Sequence, residues 1–149
     1  MASLKEKITE DLKEAMRRGD TQKRSALRLL LSAIHNAEIA KRSQLENGDI
    51  LTIIAKEVRQ RKESIEAFKA GNREDLVKQE EAELAALEIY LPPQMSREEI
   101  AEAARKVIQE VGARGPADKG KVMPRLINEL KGRADGREIN AVVTELLFQ

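Results

Sequence analysis

The chain has 149 residues, and its 27 Lys and Arg residues nearly balance 26 Asp and Glu residues, so the formal net charge is +1. It has no Cys and a single His, which excludes disulfides, a Cys nucleophile and a zinc site built from several His side chains. Aromatic residues make up only 2% of the chain, so the core is expected to be aliphatic.

Apolar residues at helical spacing predict four helices before residue 91. Each predicted helix is bounded by residues that favour helix caps or stops. The boundary signals are Ser3, Gly19, Asp20, Gly48-Asp49 and Gly71-Asn72, with Asp75 at a capping-box position.

Three further helices are predicted after the segment Leu91-Pro92-Pro93-Gln94, because two consecutive prolines cannot continue a helix. Ser96 and Glu99 form a capping box for the first of these helices. The second contains Pro124, which is expected to bend the helix or to delay its start. The third begins at another capping box, Asp135–Glu138.

These patterns predict an all-α fold with two domains, since no stretch reads as a strand. We expect an N-terminal four-helix bundle-like domain over residues 1–91, a Pro-Pro hinge over 92–95, and a C-terminal three-helix domain over 96–149. The tail resembles a protease-site scar at Phe148 and Gln149, so these two residues carry no weight.

The N-terminal residues are charged from Lys5 onward and contain no apolar signal run, and no stretch approaches the roughly 18 apolar residues that would span a bilayer. We therefore expect a soluble cytoplasmic protein without membrane contact.

No catalytic residue, metal ligand or cofactor is assigned from the sequence. The segment Gly115–Val122 matches the first seven places of G-x-x-x-x-G-K-[ST], but Val122 has no hydroxyl for magnesium and no strand precedes the segment. Glu80, Glu81 and Glu83 are interpreted as a solvated helix face, because nothing indicates an apolar pocket that would tune their pKa. His35 is interpreted as a residue at the edge of an apolar stripe.

The charge distribution gives a weak indication of nucleic-acid binding. Arg17–Arg28 holds five basic residues against one acidic residue, and Arg114–Arg137 holds seven against three. The segment Asn72–Glu88 is the opposite, with two basic and six acidic residues.

The turn between the last two predicted helices carries more positive charge than a connection requires. Gly132 can end one helix in the left-handed conformation, and Asp135 can cap the next. Gly136 would let a phosphate approach the helix amides, while Arg133 and Arg137 could donate charge-assisted hydrogen bonds to it. The alternative is a compact turn whose basic side chains are only solvated.

The motifs Gly120-Lys121-Val122-Met123 and Gly132-Arg133-Ala134-Asp135-Gly136 resemble the YqeY family, also called GatB/YqeY. The resemblance covers nearly the whole chain, including the segments 59–68 and 91–96. It implies that the C-terminal part is similar to the tail domain of GatB, a subunit of the glutamine-dependent Asp/Glu-tRNA amidotransferase. That tail is implied to bind tRNA, and a related module is appended to some glutaminyl-tRNA synthetases.

The first functional hypothesis is an accessory protein of tRNA-dependent amidation or aminoacylation, acting as a non-catalytic tRNA-binding module. Scarce aromatics favour recognition of shape and phosphates over base stacking. The candidate tRNA-binding residues are Lys121, Lys131, Gly132, Arg133, Gly136 and Arg137.

Two alternatives remain open. The N-terminal bundle could be a protein-interaction module that docks on a tRNA synthetase or an amidotransferase. The resemblance also carries the family label of a carbon–nitrogen ligase with glutamine as amido-N-donor, although glutamine hydrolysis and kinase-like activation belong to other domains.

Overall fold

The fold is described here by a computed structural model that covers residues 3–148. Residues 1, 2 and 149 lie outside the described part, and the interpretation of Gln149 as a scar falls there. Residues 3–148 form seven α-helices and no strand, which confirms the all-α prediction. The helices are α1 Leu4–Arg18, α2 Thr21–Lys41, α3 Asn47–Ala70, α4 Glu74–Glu88, α5 Arg97–Val111, α6 Lys119–Glu129 and α7 Gly136–Leu147.

The chain divides into two compact units, Met1–Leu91 and Pro92–Gln149. In the N-terminal unit, α2 packs against each of α1, α3 and α4. Its core is aliphatic except for Tyr90, whose hydroxyl donates to Asp11 Oδ2 at 2.5 Å. The largest fully buried side chains of this core are Ile8, Leu27, Leu30, Ile34, Ile50, Ile54 and Leu87.

The predicted starts of α1 and α2 and the predicted end of α1 agree with the structure, whereas α2 ends at Lys41, before the predicted stop at Gly48. The Ser3 hydroxyl accepts a hydrogen bond from the Glu6 N–H at 3.1 Å, and the Asp20 carboxylate accepts from the Lys23 N–H at 3.1 Å. Gly19 ends α1 with φ +71°, a left-handed conformation that glycine adopts without steric cost.

The boundaries between α2 and α4 differ from the prediction. Helix α3 begins at Asn47, and the Glu46 N–H donates to the Asp49 carboxylate at 3.3 Å, so Gly48 lies inside the helix. Asn72 has φ +57°, whereas an N-cap requires an extended residue. The capping box predicted for Asp75 therefore does not form, and its carboxylate instead pairs with Arg73 Nε at 3.4 Å.

In the C-terminal unit, α5, α6 and α7 pack pairwise around a second aliphatic core. The predicted capping box of α5 is confirmed, because Glu99 N–H donates to the Ser96 hydroxyl at 3.2 Å and Ser96 N–H donates to Glu99 at 3.0 Å. The core residues are Ile100, Ala104, Val107, Val122, Leu126, Leu130, Ile139, Val142, Val143 and Leu147.

Two predictions for α6 and α7 need correction. A short 3₁₀ segment leads directly into α6 at Lys119, so Pro124 lies inside the helix and, of its two expected effects, the delayed start is wrong. Asp135 has the extended backbone of an N-cap, but its side chain makes no capping hydrogen bond, so the predicted capping box of α7 does not form.

Within residues 3–148, no helix is long and apolar enough to cross a membrane. The same part of the chain contains no group of three His, Cys, Asp or Glu residues placed to hold a metal ion.

Candidate nucleic-acid interface

The basic turn, defined as Lys131–Arg137, connects α6 to α7 and includes the first two residues of α7. Its start is closed by two hydrogen bonds to the Leu130 carbonyl, from the N–H groups of Arg133 at 2.9 Å and Ala134 at 3.2 Å. Gly132 has φ +80°, as the sequence predicts for a residue that ends a helix in the left-handed conformation. A residue with a side chain would be strained there.

Two neighbouring residues of the same unit fix the position of this turn. The Gln94 side-chain amide donates to the Gly132 carbonyl at 3.0 Å and also to the Pro92 carbonyl at 2.8 Å. The Met95 N–H donates to the Arg133 carbonyl at 2.9 Å. The carbonyls of Gly132 and Arg133 therefore accept hydrogen bonds from Gln94 and Met95, in a segment that the sequence predicts only to be a hinge.

The basic side chains of the turn differ in exposure. Arg133 and Arg137 are exposed, and Lys131 is half-buried. Gly136 is exposed as well, and a Cβ built there would meet no atom within 4 Å, so the surface beside it is open. The turn thus presents two guanidinium groups beside an open stretch of helix N-terminus.

Glu99 is an acidic group that interacts electrostatically with Arg133 of this turn. The Ser96 backbone N–H and the Ser96 hydroxyl lower the pKa of Glu99 from its ordinary value, and the charge of Arg133 lowers it further. Glu99 is therefore held in its charged form by the cap of α5, and Arg133 lies within the range of its charge.

Lys121 lies apart from the other candidate residues. It occupies the first turn of α6, and its ammonium group is 3.5 Å from Asp118. At about 1.5 Å per residue, the ten residues to Lys131 correspond to about 15 Å along a helix. The structure therefore gathers Lys131, Gly132, Arg133, Gly136 and Arg137, and places Lys121 at the opposite end of α6.

The glycine-rich segment before α6 is arranged unlike a phosphate-binding loop. The Asp118 carboxylate accepts a hydrogen bond from the Arg114 N–H at 2.9 Å, which lowers the pKa of Asp118. In a phosphate-binding loop, backbone N–H groups donate to the phosphate. Here the Arg114 N–H already donates to the Asp118 carboxylate.

The interpretation of the α4 carboxylates as solvated is wrong for Glu83. Its side chain is buried, and Glu83 Oε2 accepts from Arg61 Nη1 at 2.5 Å, while the same nitrogen lies 3.0 Å from Glu80 Oε2. The sequence contains a pattern that predicts this burial, because Glu83 lies on the same helical stripe as Ala86, Leu87 and Tyr90, all of which are buried.

Comparison with known proteins gives a family match and several fungal relatives. The family model described as Yqey-like protein matches residues 5–147. Relatives named "Altered inheritance of mitochondria protein 41, mitochondrial" occur in Eremothecium gossypii, Pyrenophora tritici-repentis and Saccharomyces cerevisiae strain YJM789. Their identities to this chain are 36%, 28% and 33%, over 70%, 95% and 87% of its length, respectively.

The matched regions cover 58%, 79% and 69% of these three relatives, respectively. The chain thus spans less than two thirds of the Eremothecium protein. The names place these relatives in mitochondria, which contradicts the cytoplasmic location expected from the sequence.

Proposed function

Because the chain belongs to the Yqey-like protein family, we propose that it is a non-catalytic module that binds tRNA through the basic turn. The binding residues are Arg133 and Arg137. Lys131 adds a third cation, and the backbone amides at the N-terminus of α7 also favour a negative charge. Lys121 is not included, since it lies at the far end of α6.

The observation that carries this proposal is the attachment of the turn to Gln94 and Met95. Hydrogen bonds to the carbonyls of Gly132 and Arg133 hold the backbone in place, and the two exposed arginines extend from it. A preorganised turn loses less conformational freedom on binding than a mobile one, so more of the interaction energy is retained as affinity.

The expected contacts are with phosphates and not with bases. No aromatic residue lies within Lys131–Arg137, so the turn has no platform on which an unpaired base could stack. Arginine can donate two parallel hydrogen bonds to one phosphate, and the amides at the start of α7 favour a negative charge. Such a site distinguishes the shape of an RNA rather than its sequence.

We extend the proposal to a role beside tRNA-dependent amidation or aminoacylation, which the resemblance of the motif Gly132–Gly136 to the GatB tail implies. In this role the module positions tRNA for an enzyme that another protein supplies. The chain contributes the RNA contact, and the amide-transfer chemistry is assigned to that partner.

Amide hydrogen exchange of the full chain, with and without bulk tRNA, tests where the RNA binds. We expect slower exchange in peptides that cover the basic turn and the first turn of α7. The same tRNA digested to mononucleotides is the matched control and should leave these peptides unchanged. Slowing confined to residues 3–91, or no slowing with intact tRNA, would show that the turn is not the binding site.

A further inference from the structure

A groove in the N-terminal unit lies between the start of α2 and the middle of α4. It has a volume of about 580 Å³. The residues that line it include Thr21, Arg24, Ser25 and Arg28 from α2, and Gln79 and Glu83 from α4. The four α2 residues follow the spacing of a single helix face, so two hydroxyls and two guanidinium groups share one wall.

The two arginines of this wall carry uncompensated charge. Within residues 3–148, neither Arg24 nor Arg28 forms an ion pair with a carboxylate, and Arg28 Nη2 lies 4.0 Å from Met16 Sδ. The neighbouring Arg17 and Arg18 differ, because both pair with Glu14, at 3.6 and 2.7 Å. The groove therefore has a local excess of positive charge from two arginines that no carboxylate pairs with.

The N-terminus of α2 does not explain this groove. Asp20 caps the helix by accepting from the Lys23 N–H at 3.1 Å, so a carboxylate already occupies the end of the helix. Any anion bound in the groove must be held by side chains of α2, from Thr21 in its first turn to Arg28 about two turns further along. These are the hydroxyl and guanidinium groups of the α2 face.

Glu83 contributes a hydrogen-bond acceptor to the groove. Its side chain is only 6% exposed and pairs with Arg61 Nη1 at 2.5 Å, a nitrogen that also lies 3.0 Å from Glu80 Oε2. A buried carboxylate fixed in this way can accept a hydrogen bond from a hydroxyl or amine of a ligand. Gln79, one turn earlier on α4, can both donate and accept.

The chemistry of the groove fits a phosphate monoester better than a phosphodiester. A monoester carries a charge of about −1.5 to −2 at pH 7, which matches two guanidinium groups, whereas a diester carries only one negative charge. Leu29 also lines the groove and is 55% exposed, so it offers an apolar wall to the rest of the ligand. The volume lies in the range of small-molecule sites.

We propose that the groove between α2 and α4 binds a phosphate monoester of nucleotide size. The phosphate lies against Arg24 and Arg28, with the hydroxyls of Thr21 and Ser25 as further donors. Glu83 and Gln79 receive the hydroxyl or amine groups of the ligand. This site is in the N-terminal unit and does not depend on tRNA binding by the basic turn.

Calorimetric titration of the full chain with adenosine 5′-monophosphate, inorganic phosphate and adenosine tests the site. We expect the monophosphate to bind, inorganic phosphate to bind more weakly, and adenosine not to bind. The double variant Arg24→Gln with Arg28→Gln should bind the monophosphate roughly 100-fold more weakly, because two charge-assisted hydrogen bonds are lost. A 5′-phosphorylated RNA trinucleotide that displaces the monophosphate would identify an RNA terminus as the natural source, and one that does not would identify a free nucleotide.

The matched control is Arg17→Gln with Arg18→Gln, which removes the same charge from arginines that pair with Glu14. It should keep the affinity of the unchanged chain, and circular dichroism should show that both double variants remain helical. The proposal is overturned if the monophosphate does not bind, if adenosine binds as tightly as the monophosphate, or if Arg24→Gln with Arg28→Gln binds it unchanged.

Discussion

Replacing Arg133 and Arg137 together by Glu should weaken the binding of tRNA to the full chain by about 100-fold or more. Each arginine is expected to donate a charge-assisted hydrogen bond to a phosphate, and such a bond contributes about 1.5–3 kcal/mol. The loss of two bonds then amounts to about 3 kcal/mol at least, at about 1.4 kcal/mol per tenfold change in affinity. Charge reversal adds repulsion from the same phosphates.

The matched control for this double variant reverses two cations elsewhere in the C-terminal unit. Arg105 and Lys106 are exposed on α5, away from the basic turn in sequence. Arg105→Glu with Lys106→Glu changes the net charge by the same amount, and we expect only a small loss of affinity in a band-shift titration. If this control weakens binding as much as the turn variant, general charge and not the turn determines the affinity.

Replacing Arg61 by Met should destabilise the N-terminal unit by about 3–5 kcal/mol, because one partner of a buried ion pair is removed. The Arg61 side chain is 11% exposed, and it pairs with Glu83 at 2.5 Å and Glu80 at 3.0 Å. Methionine fills much of the same space but leaves Glu83 buried without a cation. The expected loss of stability therefore comes from the unpaired Glu83 carboxylate and not from lost packing.

Urea unfolding followed by tyrosine fluorescence measures the free energy of unfolding of the N-terminal unit. Tyr90 is the only tyrosine, the chain has no Trp, and the ring is part of the N-terminal core. Arg18→Met is the control, since Arg18 is 76% exposed and its pair with Glu14 should contribute about 0–1 kcal/mol. The variant Arg61→Met with Glu83→Leu should recover much of the loss. An unchanged urea midpoint for Arg61→Met would contradict a stabilising role for the buried Arg61–Glu83 ion pair.

The features that the sequence predicted correctly are those set by neighbouring residues. The cap of Ser3, the end of α1 at Gly19 and the reciprocal capping box of Ser96 and Glu99 each involve residues within one helical turn. Their geometry depends little on the rest of the fold, so the residue types are enough to predict them. The left-handed conformation of Gly132 belongs to the same class.

The features that the sequence did not predict depend on partners distant in the chain. Gln94 is bound to Gly132 across 38 residues, and Arg61 reaches Glu83 across 22 residues. No local pattern identifies such partners. The start of α4 was misplaced for a related reason, because Asn72 adopts a left-handed conformation that its residue type permits but does not require.

The candidate site was only partly accessible from the sequence. The cluster Lys131, Arg133 and Arg137 is contiguous and was found by its charge alone. Lys121 was grouped with it because both lie in one motif-rich segment, yet a rigid helix separates Lys121 from the turn. Conversely, the charge pattern of the sequence identifies the basic segment that contains Arg24 and Arg28. Only the fold brings Gln79 and Glu83 to the same groove.

The measurement that tests the central claim most directly is a filter-binding titration of the full chain with bulk tRNA at two salt concentrations. If two or three phosphates are neutralised by the turn, affinity should fall roughly tenfold or more between about 50 and about 200 mM monovalent salt. That result would support binding of tRNA through its phosphates. Absence of binding at the lower salt concentration, or an affinity that salt does not change, would contradict the proposed function.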